Sequence, residues 1–409
     1  MAKDIVIVGL DIGAHKIRTV VSILDEEKQK AHIIGMGTAS SFGIRKGMVV
    51  DVNEVIANIT LSLGEAERMA GVPIYSAFVS VGGAHLESFN SKGVVAVNGE
   101  EISEYDVERV LEAAQALSMP QNKRILRVIP KEYYLDGAEG IKNPVGMVGT
   151  RLEAEAHIIT GQSQSVMNLE KCVHQAGIDI TDLVPSSLAV AESILSRRQK
   201  ELGVMAVDIG SSTTTLTVFE EGVVLHTSVL PIGGESVTND IAIGLRTSID
   251  TAEKIKIEYG SSIPDEVNER EMIDLSLISK IDTQKVSKKQ LAEIIQARYL
   301  EVFHMLKDEL KLINRDGMLP AGVVLSGASI KMPGVVDMAR DKLGLPAQIG
   351  FPQNITSVVE KIDDPSYATV VGLVNWGINH EPQGGGMGFD FQLGKMFSGV
   401  GKWFRNLLP

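Results

Sequence analysis

Cysteine is scarce in this 409-residue chain, which contains Cys172 and no other. A single cysteine excludes any disulfide within the chain. Cys172 lies at helical spacing among Val166, Leu169 and Val173. This setting predicts a buried, unreactive thiol in preference to a catalytic nucleophile.

Long hydrophobic runs are also missing, since no apolar run approaches the roughly 18 residues that a membrane span needs. The apolar run at the N-terminus carries Asp4 and Asp11 and does not end in a cleavage-like sequence, which argues against a signal peptide. We therefore expect a protein that is made in the cytoplasm and stays there.

Basic residues are fewer than acidic ones, since the chain has 39 Lys and Arg residues and 52 Asp and Glu residues, and its formal net charge is −13. This acidic surplus argues against a nucleic-acid-binding protein. The apolar fraction of 44% is that of a globular protein, and 409 residues are enough for two to four domains, each with its own core.

Two stretches with the same residue order organise the chain. The first is GLDIGAHK, which ends at Lys16, and the second is VDIGSST, which ends at Thr213. Each is an apolar run that ends in an aspartate and a glycine, and each is followed by two strands rich in Val, Ile and Thr. The predicted strands lie at 17–24, 31–37, 214–219 and 223–230. One copy alone would indicate a tight turn, but two copies with matched flanks indicate a duplicated unit whose halves can close on one ligand.

The chemistry of the paired stretches suits a phosphate group with a metal ion. The glycines after Asp11 and Asp208 let backbone amides approach a ligand, and amides and hydroxyls bind phosphate oxygens. Carboxylates repel phosphate, so the two aspartates would act through a divalent cation and its waters. We therefore expect a nucleoside di- or triphosphate with magnesium.

Two later features could complete a nucleotide site. Gly233 and Gly234 precede a predicted helix, whose N-terminus would offer free amides to an anion, although a plain loop explains the pair equally well. Glu253 and Lys256 lie three apart on one helical face, where they could reach a ribose or form a surface ion pair.

A third glycine turn follows the apolar strand predicted at 322–325. Gly327 and Ala328 form this turn, and a backbone without bulky side chains can let an adenine ring lie flat against it. This turn is weak evidence by itself, but it follows the two aspartate–glycine loops in the chain, in the order expected for a nucleotide site.

Residues 84–160 have the pattern of a separate small α+β module. Strands are expected at 93–97, 125–129 and 153–159, with a helix whose N-cap is Ser103 and whose capping-box residue is Asp106. Since the module shows no acid–base cluster, we expect a docking surface and not a catalytic one.

The C-terminal segment differs in composition from the rest of the chain. A glycine-rich spacer at 381–388 precedes apolar residues that recur at intervals of three and four, with Lys395, Lys402 and Arg405 outside the apolar arc. This pattern predicts an amphipathic helix that lies in an anionic membrane interface, the alternative being a helix that docks on its own protein. The residues expected to contact lipid are Leu393, Met396, Phe397, Val400, Lys402, Trp403, Phe404, Arg405, Leu407 and Leu408.

The motifs DIGAHK, DIGSSTT, IGGE, AEKIK and LSGAS, in this order, resemble the actin/Hsp70/sugar-kinase ATPases over roughly residues 5–380. With FVSVGGAH, the early module and the basic tail added, the chain is similar to the FtsA family of bacterial cell-division proteins. The resemblance implies an α/β actin-like two-domain ATPase fold with duplicated RNase H-like cores, a small α+β insertion and a C-terminal amphipathic helix. The implied division is subdomain 1A at 1–83 and 161–196, 1C at 84–160, 2A at 197–231 and 298–380, 2B at 232–297, a linker at 381–390 and a membrane helix at 391–409.

By the same resemblance, the protein would bind ATP and magnesium and form filaments. It would hold FtsZ, whose C-terminal peptide docks on 2B, at the cytoplasmic face of the membrane at the division site, and recruit later division proteins through 1C. The implied nucleotide contacts are Gly13, Ala14, His15, Lys16, Gly210, Ser211, Ser212 and Thr213 for phosphates, Asp11 and Asp208 for magnesium waters, Gly233 and Gly234 as the anion seat, Glu253 and Lys256 for ribose, and Gly327 and Ala328 for adenine.

One departure from the superfamily concerns the first loop, where Ala14 and His15 replace the usual hydroxyl residue. Together with the lack of a recognisable catalytic base, this implies at most a weak ATPase, with the catalytic residue unassigned. Two alternatives share the fold, namely a small-molecule kinase and a membrane-associated pilus scaffold of the PilM type, but neither accounts for the basic tail.

Overall fold

The computed structural model describes residues 5–25, 30–99, 101–116, 122–280, 282–357 and 362–380. The predicted linker at 381–390 and membrane helix at 391–409 lie outside these residues. The strands are, in chain order, β1 (Val6–Ile12), β2 (Lys16–Asp25), β3 (Lys30–Ser40), β4 (Ile44–Arg45), β5 (Met48–Val49), β6 (Ser76–Val81), β7 (Glu87–Ala96), β8 (Lys123–Leu135), β9 (Ala138–Ile141), β10 (Arg151–Gln162), β11 (Asp179–Pro185), β12 (Val204–Ile209), β13 (Thr214–Glu220), β14 (Val223–Leu230), β15 (Met272–Asp274), β16 (Lys285–Ser287), β17 (Val323–Ser326), β18 (Ala347–Ile349) and β19 (Ile355–Ser357). The helices are α1 (Val52–Ala70), α2 (Glu104–Ala116), α3 (Ser163–Gln175), α4 (Ser186–Ile194), α5 (Arg197–Leu202), α6 (Gly234–Leu245), α7 (Ile249–Tyr259), α8 (Lys288–Leu312), α9 (Val335–Leu343) and α10 (Ala368–His380).

Two large sheets repeat one strand order. The first runs β11-β6-β1-β2-β3-β19 and the second runs β18-β17-β12-β13-β14. In each, an antiparallel meander, β1-β2-β3 or β12-β13-β14, is extended on its first strand by two parallel strands. The duplicated meanders expected from the sequence are therefore present, and β19 is the one addition to the first sheet.

The helices follow from local signals in the sequence. The side chain of Asp51 caps α1 by accepting hydrogen bonds from the amides of Asn53 and Glu54, and the helix ends at Gly71 with φ +70°. Its apolar face is buried as its spacing predicts, at Val55, Ile59, Leu63 and Ala66.

The insertion forms a sheet of its own in the order β7-β10-β8-β9, with α2 packed against β7 and β10. The predicted capping box is present, since the amide of Asp106 donates to Ser103 Oγ (3.3 Å) and the amide of Ser103 donates to Asp106 Oδ2 (3.1 Å). The sheet and α2 enclose a small apolar core that belongs to the insertion, which confirms the predicted α+β module.

The end of the described chain returns to the first sheet. β19 pairs in parallel with β3, and α10 packs against α4 and β1. This differs from the implied division, which gave 298–380 wholly to the second domain, because β19 and α10 lie against the first sheet. The implied boundary at residue 197 coincides with the start of α5, whose N-cap Ser196 makes a capping box with Gln199.

One apolar core joins the two sheets. It contains α4 and α10 together with residues of β1 and β3 from the first sheet and of β12, β13, β14 and β17 from the second. Separate cores cover the outer face of each sheet. Because the shared core fixes the sheets against each other, the ends of β1 and β12 are held close together.

Candidate nucleotide site

The loops that follow β1 and β12 have the same geometry. In the first loop, residues 13–16, the amide of Gly13 donates to the carbonyl of Lys16 (3.1 Å), and in the second loop, residues 210–213, the amide of Gly210 donates to the carbonyl of Thr213 (2.9 Å). Each loop thus joins its two strands by the same turn. We call the space between the two loops the cleft.

The two aspartates that precede the loops both have raised pKa values, and Asp11 contributes to that of Asp208. Burial raises the pKa of Asp208 to about 7, and the negative charge of Asp11 adds to this rise. Burial also raises the pKa of Asp11, while Arg18 opposes both shifts. Such an electrostatic effect requires the carboxylates to be close together, so the structure brings the predicted pair into one cleft.

Sequence reasoning missed Arg18, which is a cation beside both aspartates. Arg18 pairs with Asp11 across the β1-β2 hairpin, and its guanidinium lies 5.0 Å from the ring centroid of Tyr367. Counting outward from the predicted turn would have placed it opposite Asp11. Lys16, a predicted phosphate ligand, donates from Nζ to Ser40 Oγ (3.3 Å), and its contact with phosphate stays a prediction.

The glycine pair before α6 differs from the expectation of free amides. The amide of Gly234 donates to the carbonyl of Gly210 (2.9 Å), and that of Glu235 donates to the carbonyl of Ser211 (2.7 Å). A methyl group on Gly233 would lie 2.6 Å from the carbonyl oxygen of Ser211, so the backbone at Gly233 lies too close to the second loop for a larger residue. The start of α6 therefore holds the second loop in place, and these amides are already used.

Glu253 and Lys256 form a connected pair beside the same loop. Lys256 Nζ donates to Glu253 Oε2 (2.6 Å), Thr238 Oγ1 (2.7 Å) and the Gly234 carbonyl (3.2 Å). Burial and the charge of nearby Lys16 lower the pKa of His15, and the charges of Glu253 and Lys256 also act on it. The two residues therefore form an ion pair that is also bonded to the start of α6, and their contact with a ribose stays a prediction.

The third glycine turn borders the second aspartate. Gly327 adopts φ +93°, and a methyl group there would lie 2.5 Å from the Ile209 carbonyl and 2.9 Å from Asp208 Oδ1. Its amide donates to the Pro365 carbonyl (3.3 Å), and Ala328 beside it is exposed. The turn is as expected, and its use by adenine stays a prediction.

The predicted site residues lie in or beside the two loops, and their binding of one ligand stays a prediction. They are Asp11, Gly13, Ala14, His15 and Lys16 on one side, and Asp208, Gly210, Ser211, Ser212, Thr213, Gly233, Gly234, Glu253, Lys256, Gly327 and Ala328 on the other. Within the described ranges, no cluster of three or more His, Cys, Asp or Glu side chains is arranged to hold a metal ion. In the same part of the chain, no helix is both long and apolar enough to cross a membrane.

Comparison with known proteins identifies the family. A sequence model of cell division protein FtsA matches residues 205–372, and a model of the SHS2 domain inserted in FtsA matches residues 83–160. FtsA of Pseudomonas aeruginosa is 39% identical over 378 residues, which cover 92% of this chain and 90% of that protein. This chain belongs to the FtsA family. FtsA of Bacillus subtilis is 39% identical over 93% of this chain and 86% of its own length, and FtsA of Escherichia coli is 32% identical over 98% and 96%.

Solved structures place the FtsA-family chain in the actin-like fold. The PilM–PilN type IV pilus biogenesis complex matches with a TM-score of 0.68 at 15% identity, over 92% of this chain and 99% of that chain. MreB5 of Spiroplasma citri bound to ADP matches with a TM-score of 0.52 at 11% identity, over 90% and 94%. At such identities the likeness shows fold alone, and it confirms the predicted actin-like α/β architecture, to which the SHS2 match adds the insertion.

Proposed function

We propose that this FtsA-family protein binds ATP with magnesium in the cleft between the first and second loops. The observation that carries the proposal is the shared core, because it holds the strands that precede the two loops against each other, and the effect of Asp11 on the pKa of Asp208 agrees with this. The matching loop geometry supports it, since backbone amides on both sides can face phosphates. MreB5, a structure of the same fold, holds ADP.

The residues present fit magnesium. The negative charge of Asp11 raises the pKa of Asp208, so the two carboxylates repel one another when both are ionised, and a divalent cation with its waters would relieve this repulsion. Asp11 and Asp208 would hold the ion through water. When bound, the ion would neutralise charge on the carboxylates and on the phosphate oxygens.

Direct binding measurements test this proposal. Isothermal titration with ATP and magnesium should give one site in the wild-type protein, and D11N and D208N should each weaken binding at least about tenfold. D337N is the matched control, since Asp337 is an exposed aspartate paired with Arg340 on α9, and it should bind as wild type. Wild-type protein that fails to bind, or aspartate variants that bind normally, would refute the proposal.

We further propose that hydrolysis is weak and that ATP acts as a switch for polymerisation. The first loop carries Ala14 and His15 where a hydroxyl would contact phosphate, and no catalytic base is assigned. Steady-state phosphate release should accordingly be far slower than the turnover of a sugar kinase. Release at a comparable rate would contradict this.

The cellular role that we propose is to polymerise, to hold FtsZ filaments at the cytoplasmic face of the membrane at the division site, and to recruit later division proteins through residues 84–160. Family membership and the amphipathic pattern of the tail support it. For the FtsZ C-terminal peptide we propose residues 232–297, where a cavity of about 380 Å³ lies between Leu245, Met272 and Gln290.

Liposome co-sedimentation tests membrane recruitment. The intact protein and a chain that ends at Gly388 would each be mixed with anionic liposomes, with and without FtsZ. We expect FtsZ in the pellet only with the intact protein, because the truncated chain lacks the segment predicted to bind lipid. Recovery of FtsZ with both chains would contradict this role for the tail.

A further inference from the structure

Ser80 is a buried polar residue beside the cleft to which the proposed function gives no role. It lies on β6, whose pairing with β1 joins Gly9 to Phe78 and Leu10 to Val79, so the next position along β6 lies beside Asp11. The side chain is 3% exposed. A hydroxyl at this depth must find hydrogen-bond partners within the protein.

Both of its partners belong to the end of β1. The Ser80 hydroxyl donates to Asp11 Oδ1 (2.8 Å), and its oxygen accepts the amide hydrogen of Ile12 (3.1 Å). The hydroxyl therefore links the carboxylate to the backbone of its own strand. The other oxygen, Oδ2, points toward the first loop and would lie 3.9 Å from a methyl group on Gly13.

The duplicated half has a serine at the equivalent position, but its hydroxyl is used differently. Ser326 on β17 pairs in register with Asp208 on β12, and its hydroxyl donates to the Pro365 carbonyl (2.9 Å). Oδ1 of Asp208 faces Gly327, and no side chain among the described residues donates a hydrogen bond to Asp208. Within the described part of the chain, a neighbouring hydroxyl thus holds Asp11 and none holds Asp208.

We propose that Ser80 is a positioning residue that holds Oδ1 of Asp11 and so presents Oδ2 to the waters of the divalent cation. The inference rests on the proposed binding of magnesium and nucleotide. An oriented carboxylate loses less side-chain freedom when the ion binds, and partners that orient metal-binding side chains typically change metal affinity 10–100-fold.

The test is a magnesium titration of the full-length protein with a fluorescent ATP analogue at fixed concentration. The Ser80→Ala variant should need about tenfold more free magnesium for half-maximal binding, while binding of the analogue in EDTA stays as in wild type. A changed magnesium requirement with unchanged binding in EDTA is the result expected of a positioning residue. A general loosening of the site would instead weaken the binding of the analogue both with magnesium and in EDTA.

Ser22→Ala is the matched control. Ser22 is equally buried in the same sheet and also bonds to β1, but it donates to the Ile7 carbonyl (3.0 Å), four residues before Asp11. We expect its magnesium requirement to equal that of wild type. If the Ser80→Ala protein does not fold, Ser80→Cys, with a thiol of similar size that donates weakly, should shift the requirement in the same direction.

Two outcomes would overturn the role of Ser80. One is a magnesium requirement of the Ser80→Ala variant within twofold of that of wild type. The other is a magnesium requirement that shifts as much in Ser22→Ala as in Ser80→Ala. Wild-type protein whose binding of the analogue does not depend on magnesium would instead refute the magnesium part of the proposed function, so the two failures are distinguishable.

Discussion

At the scale of single residues, the cleft depends on backbones that pass unusually close to one another. Gly233 lies against the second loop, and Gly327 lies against both Ile209 and Asp208. These contacts leave no room for a side chain, so the glycines set how near the second loop can come to its neighbours. The raised pKa of Asp208 fits this close packing, because the surrounding protein disfavours the charged form of its carboxyl group.

Gly327→Ala should both destabilise the protein and reduce ATP binding. At φ +93° an alanine is strained by about 1–3 kcal/mol, and its methyl group would also press on Asp208 Oδ1. Gly344→Ala is the control, since Gly344 ends α9 at φ +64° with open space around it, and it should cost about 1 kcal/mol without changing ATP affinity. Urea denaturation and calorimetric titration measure the two effects. If Gly344→Ala lost as much stability and as much ATP affinity as Gly327→Ala, the assigned role of Gly327 would be contradicted.

Stability of the ligand-free protein should depend on pH through Asp208. Its pKa rises from 3.8 to about 7 on folding, so between these values the folded state keeps a proton that the unfolded chain releases. Stability from this group therefore falls as pH rises through the window. D208N removes the effect, so its free energy of unfolding relative to wild type should increase from about pH 4 to pH 7 and then level off. A constant difference in urea denaturation would contradict the raised pKa.

At the scale of elements, the insertion is joined to the second sheet through β14, the edge strand that leads toward α6. His157 on β10 is buried, and a neutral ring satisfies both neighbours, with Nδ1–H donating to Asn90 Oδ1 (2.8 Å) and Nε2 accepting from Thr227 Oγ1 (3.0 Å). Burial lowers the pKa of His157 to about 3. Ser88 Oγ donates to the Thr227 carbonyl (2.7 Å), so a hydrogen-bonded contact and not only apolar packing connects the insertion to the strand before the nucleotide site.

His157→Ala should lower the free energy of unfolding by about 2–4 kcal/mol, because it opens a cavity and leaves Asn90 and Thr227 without their partner. His174→Ala should cost less than about 1 kcal/mol, since His174 is exposed and lies 3.6 Å from Asp179. Urea denaturation at neutral pH compares them. A His157→Ala protein as stable as wild type would show that this contact contributes little.

Elements with local signals were predictable from the sequence, and those that depend on distant pairing were not. The meanders, α1 and the capping box of α2 follow from residue periodicity and caps. The position of β19 requires pairing with β3, more than 300 residues earlier in the chain, and no local pattern records it. The Ser80 contact with Asp11 likewise depends on the parallel register of β1 and β6. The free amides expected at the start of α6 were wrong for a related reason, since the amides of Gly234 and Glu235 bond to a loop that lies 24 residues away in sequence.

At the scale of the whole molecule, the shared core built around α4 and α10 sets the spacing of the two sheets, and the cleft lies at the ends of their first strands. A ligand that contacts both loops would add a second link between the halves. Nucleotide with magnesium should therefore stabilise the entire fold, and not the second domain alone.

This stabilisation can be predicted from mass action. ATP at a hundredfold excess over its dissociation constant, with magnesium, should raise the free energy of unfolding by about 2.7 kcal/mol. The same ATP concentration in EDTA should give a clearly smaller rise, because the repulsion between Asp11 and Asp208 remains. Thermal unfolding under both conditions is the measurement, and identical shifts would argue against any role for the ion.

The most direct test of the account is a crystal structure of the full chain with magnesium and a non-hydrolysable ATP analogue. We predict phosphate oxygens within hydrogen-bond distance of amides in both loops, a hydrated ion between Asp11 and Asp208, and the adenine against Gly327. A nucleotide bound to one loop alone, with the two aspartates far from the ion, would contradict the central claim that both halves of the molecule bind one ligand.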